Sequence, residues 1–247
     1  MPRPKTRTEE PVLPKVVLFD LDDTIFDHSL TCRDAIREAR GEFPELRGRP
    51  LEATWREYGR LLGVTHTDVM LGLRSSDEVR TERFLRLSKW SGRPVDRARA
   101  ASISLSYRQH YQRLRRAIPG APETIRRLKG RTQVGVVTNN TVAEQVEKLA
   151  FLGLDRSVDF MVTSEEIGAA KPDPKIFRAA LARAGASPQE AVMVGDSWAS
   201  DVRGARTVGI RPLWFNRFRA PPPERVAVRE FSSFRSTGRF ERLLVPP

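Results

Sequence analysis

One cysteine, Cys32, is all that the 247-residue chain contains, so no intrachain disulfide can form and neither an oxidising compartment nor a structural zinc site is indicated. Long apolar runs are missing too. No stretch approaches the roughly 20 apolar residues needed to span a bilayer, and the basic N-terminus lacks the apolar run and small-residue cleavage site of a signal peptide. The expectation is a soluble, cytoplasmic protein with no membrane partner. Acidic residues are scarce beside basic ones, 31 against 43, for a formal charge of +12. That surplus suits a polyanionic partner, yet the arginines are scattered through helices, loops and both termini. Zinc-finger spacing, an RNA-binding aromatic signature and a dense basic run are all lacking. Specific nucleic-acid binding is not expected, although a positive field still draws in phosphorylated metabolites.

What is present is a 39% hydrophobic content, enough for a core domain carrying a smaller inserted unit. Residues 1–14 are rich in proline and charge and read as a loose arm. Residues 16–19, Val-Val-Leu-Phe, form a short β-branched apolar run, as in a strand buried on both faces of a parallel sheet. From 27 to 116 the period becomes helical. Cys32, Ala35, Ile36, Ala39 and Phe43 share one face; Leu51, Trp55, Tyr58 and Leu62 a second; Phe84, Leu87 and Trp90 a third; Ile103, Tyr107, Tyr111 and Leu114 a fourth. These stripes read as helix packing, with Gly41, Gly63 and Gly92 as helix stops.

After Pro119-Gly120 helices and strands alternate, with strands at 134–138, 160–162, 191–194 and 210–215 and helices at 123–129, 142–151, 175–184 and 199–208. Such alternation implies βαβ units: an α/β fold, a Rossmann-like parallel sheet flanked by helices. The core is expected at 15–26 and 117–247, the inserted helical domain at 27–116. The tail beyond Asn216 is expected to add an edge strand and a short helix.

In open α/β sheets ligands sit beyond the carboxyl ends of the strands. Polar residues follow the apolar runs at four points: Asp20-Leu21-Asp22-Asp23-Thr24, Thr138-Asn139-Asn140, Lys171-Pro172, and Gly195-Asp196 with Asp201 five residues on. Singly, each is an ordinary turn or helix-start residue, and Asp23 stays mainly a turn residue. Together, acids converging at one sheet edge repel unless a cation neutralises them. A hard divalent ion such as magnesium, held by Asp20 and Asp196, is the economical solution. Lys171 and Thr138 then face a phosphate.

Asp20-Leu21-Asp22-Asp23-Thr24 looks like the D-x-D-x-T signature of the haloacid dehalogenase-like (HAD) superfamily. Thr138, Lys171 and Asp196 through Asp201 resemble its second, third and fourth motifs in order. The resemblance runs from Lys15 to Asn216 and places the helical insert where the family carries a type-one cap. It implies a magnesium-dependent phosphatase of a small-molecule phosphomonoester, with Asp20 the nucleophile of an aspartyl-phosphate intermediate. Asp22 is implied as general acid and base, with a nearby carboxylate raising its affinity for protons. Asp20, Asp196 and the Asp22 carbonyl are implied as metal ligands. Thr138, Lys171 and backbone around Asn139 bind phosphate, and Asp201 supports the metal's waters or orients Lys171. Hinges are expected near 26–29 and 117–120.

Two other reactions share the fold. Haloacid dehalogenation needs no acid at position 22, because halide leaves without a proton. A phosphosugar mutase shares every motif but usually has glycine where Asp23 stands. The insert names no substrate: Arg33, Arg37, Arg74, Arg80 and Arg83 could include an anion clamp but read first as solubilising charges, His28 could line the cap entrance but reads first as a polar loop residue, and Cys32 reads as packing.

Overall fold

The four residues Val16–Phe19 form β1 and are fully buried, in a computed structural model that describes residues 13–70 and 72–245. Most of the expected N-terminal arm, residues 1–12, lies outside the described residues. Val17 and Phe19 join one hydrophobic core, and Val16 and Leu18 join another on the opposite face, as a period of two requires.

The chain then runs through α1 (His28–Glu42), a 3-10 turn at Pro44–Arg47, α2 (Leu51–Thr65), α3 (Thr67–Met70), α4 (Ser76–Trp90) and α5 (Arg97–Arg113). It continues as α6 (Ala121–Leu128), β2 (Gln133–Thr138), α7 (Val142–Phe151), β3 (Phe160–Thr163), α8 (Ser164–Ile167), α9 (Pro174–Ala184), β4 (Ala191–Gly195), α10 (Arg203–Thr207), β5 (Arg211–Phe215), β6 (Arg229–Phe231) and α11 (Thr237–Leu244). The six strands are parallel in the order β3-β2-β1-β4-β5-β6. Phe19 pairs with Val136 on one side and Val194 on the other. Whatever follows β1 therefore emerges between the carboxyl ends of β2 and β4, where the strand order reverses and α/β sheets place their ligands. Close packing beside this point depends on Gly135: a Cβ there would meet the Phe160 ring at 2.4 Å and Leu18 at 2.9 Å.

The stripes of the helical insert pack as their period suggests. Cys32, Ile36, Ala39, Phe84, Leu87, Ile103 and Tyr107 lie in one core that continues into the sheet's own. Two expected helix stops are corrected. Gly41 lies inside α1, which closes only when the Phe43 N–H bonds the Ala39 carbonyl at 2.9 Å. Gly63 lies inside α2, which closes at His66. Nothing stands within 4 Å of a Cβ at either glycine, and neither has a positive φ, so neither leaves the helical conformation. Gly92, at φ +80° just beyond α4, does end a helix.

The insert leaves and rejoins the sheet through adjacent backbone. Phe26 and Ala117 form an antiparallel bridge, the Asp27 N–H donates to the Arg116 carbonyl at 3.0 Å, and the Ile118 N–H to the Ile25 carbonyl at 2.7 Å. The tail adds β6 at the sheet edge and α11, whose Phe240 packs on Phe231 and Phe234. Among the described residues no helix is long and apolar enough to cross a membrane.

Candidate active site

A turn with left-handed geometry follows β1. Asp23 has φ +64°, a conformation that aspartate tolerates better than most residues. Its carboxylate accepts from the Ser29 N–H at 2.7 Å and the Ser29 hydroxyl at 2.6 Å. That is a turn-holding role, as the sequence suggested. The turn separates Asp20, at the end of the central strand, from Asp22, which faces the helical insert.

Asp20 meets its partners from β4 and from the loop after α8. The Lys171 ammonium donates to Asp20 at 2.6 Å and to Asp201 at 2.7 Å, and all three are nearly inaccessible to solvent. One carboxylate oxygen from each of Asp20, Asp196 and Asp201 lies within 4.8 Å of the others. Asp196 is fixed by its neighbours: its N–H donates to the Thr24 hydroxyl at 3.0 Å, and its carbonyl accepts from the Trp214 indole at 2.8 Å. Asp201 sits in a π-helical turn, Trp198–Val202, and its second oxygen accepts from the Ser197 N–H at 3.0 Å. This places it against Gly195, where a Cβ would meet the Asp201 carboxylate at 2.2 Å.

Two buried carboxylates on one ammonium, with the half-buried Asp196 close by, leave their mark on proton affinity. Burial pushes the Asp20 carboxyl up to about 7; Lys171 pulls it down, and Asp201 pushes it further up. Asp196 is driven well above the usual carboxylate range, by burial first and then by Asp20 and Asp201. For Lys171 burial works against the charge, but Asp20 and Asp201 outweigh it and raise its proton affinity. This set of hard oxygen donors, crowded enough to repel, fits a divalent cation such as Mg²⁺.

Asp22 departs from expectation. Burial works to raise its pKa, but Lys148 and then His28 outweigh it and bring the carboxyl down to about 2. Lys148 donates to both Asp22 oxygens, at 2.7 and 2.8 Å, and Gln145 donates to one at 3.2 Å. The expected neighbouring carboxylate that would raise its proton affinity is therefore replaced by a neighbouring ammonium with the opposite effect. Gln145 also bonds the Thr138 hydroxyl, tying the end of β2 to Asp22. Asn139 has its side chain turned to the Lys171 loop: Nδ2 donates to the Lys171 carbonyl at 2.9 Å, and Oδ1 accepts from the Lys171 N–H at 2.7 Å. Its side chain positions Lys171, which leaves only its backbone for a phosphate.

The structure thus brings Asp20, Lys171, Asp196 and Asp201 into direct contact or close approach, and joins Asp22 to Thr138 through Gln145. Lys148 and Gln145 were missed. Both lie on the buried side of α7, and a polar pair three residues apart on an otherwise apolar face was the available signal. Arg80 and Arg83 were taken for solubilising charges but are buried, at 6% and 5% exposure. They share a face of α4 with Val79, Phe84 and Leu87, so the same signal was present. These arginines, with His28 and His66, line a cavity of about 390 Å³ that opens between the insert and the sheet, beside Asp22 and Asn139.

Comparison with known proteins agrees with this geometry. The family model of haloacid dehalogenase-like hydrolases matches residues 14–209. A phosphoserine phosphatase of Thermus thermophilus is 31% identical over 237 residues, covering 85% of this chain and 92% of its own. A glyceraldehyde 3-phosphate phosphatase of Pyrococcus furiosus is 32% identical over 202 residues, 81% of this chain and 80% of that protein. A ribulose-1,5-bisphosphate 5-phosphatase of Halopiger xanaduensis is 33% identical over 207 residues, 81% and 84%. Among solved structures, the HAD hydrolase YfnB of Bacillus subtilis superposes with a TM-score of 0.75 at 24% identity, over 94% of this chain and 99% of that one. With the motif residues gathered at one sheet edge and the match running from β1 through α10, the chain belongs to the haloacid dehalogenase-like hydrolase family.

Proposed function

We propose that the protein is a magnesium-dependent phosphatase that hydrolyses a small-molecule phosphomonoester through an aspartyl-phosphate. The observation that carries this reading is the cluster of Asp20, Asp196 and Asp201, two of them bonded to the buried Lys171, with another acid, Asp22, two residues after the first. Three relatives named as phosphatases of three different small esters support the same class of reaction.

An Asp20 oxygen attacks phosphorus and the ester oxygen leaves with a proton from Asp22; Asp22 then takes a proton from the water that splits the aspartyl-phosphate. In the free protein Asp22 is ionised by Lys148, so it is ready as the base. It acquires its proton for the first step when the substrate's own negative charge comes near. Lys171 screens the phosphoryl oxygens, and the Thr138 hydroxyl and the Asn139 backbone N–H donate to them. Asp20, Asp196 and the Asp22 carbonyl would hold Mg²⁺, with Asp201 orienting Lys171. Bound there, the ion would lend charge stabilisation to the transferring phosphoryl group. Residues 27–116 act as the cap, hinged at the paired backbone of 25–27 and 116–118, and the cavity beneath limits the substrate to a small metabolite.

Phosphate release from a panel of small phosphomonoesters, with and without Mg²⁺, tests the reading on native protein and on Asp20→Asn and Asp22→Asn. Metal-dependent release that both variants lose is the expected result. Isomerised ester in place of free phosphate would indicate a mutase, and well-folded native protein that releases none would overturn the proposal.

A further inference from the structure

Most charged groups around the 390 Å³ cavity are matched. Arg80 donates to Asp77 at 2.5 Å and to Glu144 at 3.3 Å, and Arg108 donates to Glu147 at 2.9 Å. Glu144, the acid on this wall, is shared between Arg80 and, at 4.0 Å, Arg108.

Arg83 is different. It is 5% exposed, donates to the neutral Tyr58 hydroxyl at 3.1 Å, and lies over the same ring at 5.7 Å. Its Nε is buried and has no hydrogen-bond partner among the described residues. A second orphan atom among the described residues, the buried His66 Nδ1, belongs to another residue of the same cavity's lining. Burial, and then the charge of Arg83, hold His66 down at about 4, so it is neutral at pH 7. A guanidinium buried against a phenol and a neutral imidazole bears a desolvation cost, and among the described residues no carboxylate pairs with it to offset that cost. Its planar donor edge is suited to carboxylate or phosphate oxygens. Asp22 and Asn139, where the phosphoryl chemistry is placed, line the same cavity.

We infer that the cavity is a subsite for a second oxyanion: the alcohol part of the ester carries a carboxylate or a second phosphate, which Arg83 receives beside His66. The inference rests on the phosphatase reading for the role of Asp22 and Asn139 in the cavity wall, and it adds to it the chemical class of the leaving group. It also gives Arg83 a countercharge, where the described residues offer it the Tyr58 hydroxyl.

A two-carbon series isolates the effect: 2-hydroxyethyl phosphate, 2-phosphoglycolate and ethane-1,2-diyl bisphosphate differ only in the group at the far end. With native protein and Mg²⁺, kcat/KM for at least one of the two anionic esters should exceed that of the hydroxyl ester by about 30-fold or more, the scale on which a desolvated charge pair discriminates. Which anion is preferred identifies carboxylate or phosphate. Arg83→Met should collapse the ratio towards one. Arg83→Lys, which keeps the charge and loses the planar fork, should lower it in part and serves if the methionine variant does not fold. Equal handling of all three esters by native protein, or a ratio untouched by both variants, overturns the subsite while leaving the phosphatase reading intact. Calorimetric binding of the same three esters to Asp20→Asn needs no turnover. An Arg83-dependent preference for an anionic ester there, with no phosphate released by native protein, would keep the subsite and sink the phosphatase.

Discussion

Replacing Lys148 with methionine removes one charge, keeps the length of the side chain, and tests how Asp22 is held. In the native protein the ammonium sits 2.7 and 2.8 Å from the two carboxylate oxygens. The lysine side chain is 4% exposed and that of Asp22 24%, so solvent screens the pair weakly. The carboxyl is brought from 3.8 down to about 2, a preference for the ionised form of roughly 2 to 3 kcal/mol at about 1.4 kcal/mol per unit. That preference is net of burial, which opposes it. Without the lysine, burial remains against His28 and Gln145 alone, and the Asp22 carboxyl should titrate above its native value. The sign follows for stability. A folded value below the unfolded one means a contribution present above about pH 4 and lost as pH falls through about 2. Lys148→Met should therefore flatten acid unfolding across that window. The direct assay is a carbon-13 carboxyl titration of Asp22 in native and variant protein. A variant midpoint within half a unit of the native one would refute the account. The acidic limb of kcat, if Asp22 is the base of the second step, should move upward with the NMR midpoint.

Asp20 has the opposite sign. Its folded value, about 7, lies above the unfolded one, so in metal-free protein its contribution is fully present below about pH 4 and is lost as pH rises through 7. Asp20→Asn should remove that slope from the melting temperature between pH 4 and 7, while excess Mg²⁺ should raise the native melting temperature most at the alkaline end. Gly195→Ala should displace Asp201, because the new methyl would meet its carboxylate at 2.2 Å. We expect a loss of about 1–3 kcal/mol by denaturant titration, together with weaker half-saturation by Mg²⁺ in the phosphate-release assay. Gly41→Ala, where nothing lies within 4 Å, should instead raise stability by about 0.5–1 kcal/mol.

Much of the architecture was legible because burial on both faces of a parallel sheet leaves a local trace. Runs such as Val16–Phe19 and Ala191–Gly195 are almost wholly apolar, and the residue after each run falls at the sheet's carboxyl edge whatever the tertiary detail. Asp20 and Asp196 could be read for that reason. Lys148 could not be assigned a role so easily, since its partner Asp22 is 126 residues away and a helix face does not reveal what it packs against. Arg83 was hidden by composition: among so many arginines, a buried one differs only in its spacing relative to Phe84 and Leu87. Gly41 and Gly63 were misread because a glycine at a helix end and one in its last turn look alike until the next hydrogen bond is seen. The π-helical turn at Trp198–Val202 has no comparable pattern, yet it sets the position of Asp201.

The bridge between Phe26 and Ala117 reaches beyond hinge motion. Residues paired in this way have Cα atoms only about 5 Å apart, so about ninety residues of chain begin and end at nearly one point of the core. The sheet experiences that whole excursion as a single closed loop, and the entropy of closing a loop grows only slowly with its length. A longer, shorter or unrelated module spliced between these two positions would leave the strand order undisturbed, provided that its own ends meet and that it replaces the contacts of Ser29 with Asp23 and of His28 with Asp22. On the proposed function, the fold thereby separates two evolutionary problems: the chemistry can stay in the sheet while the reading of the substrate is exchanged at one seam.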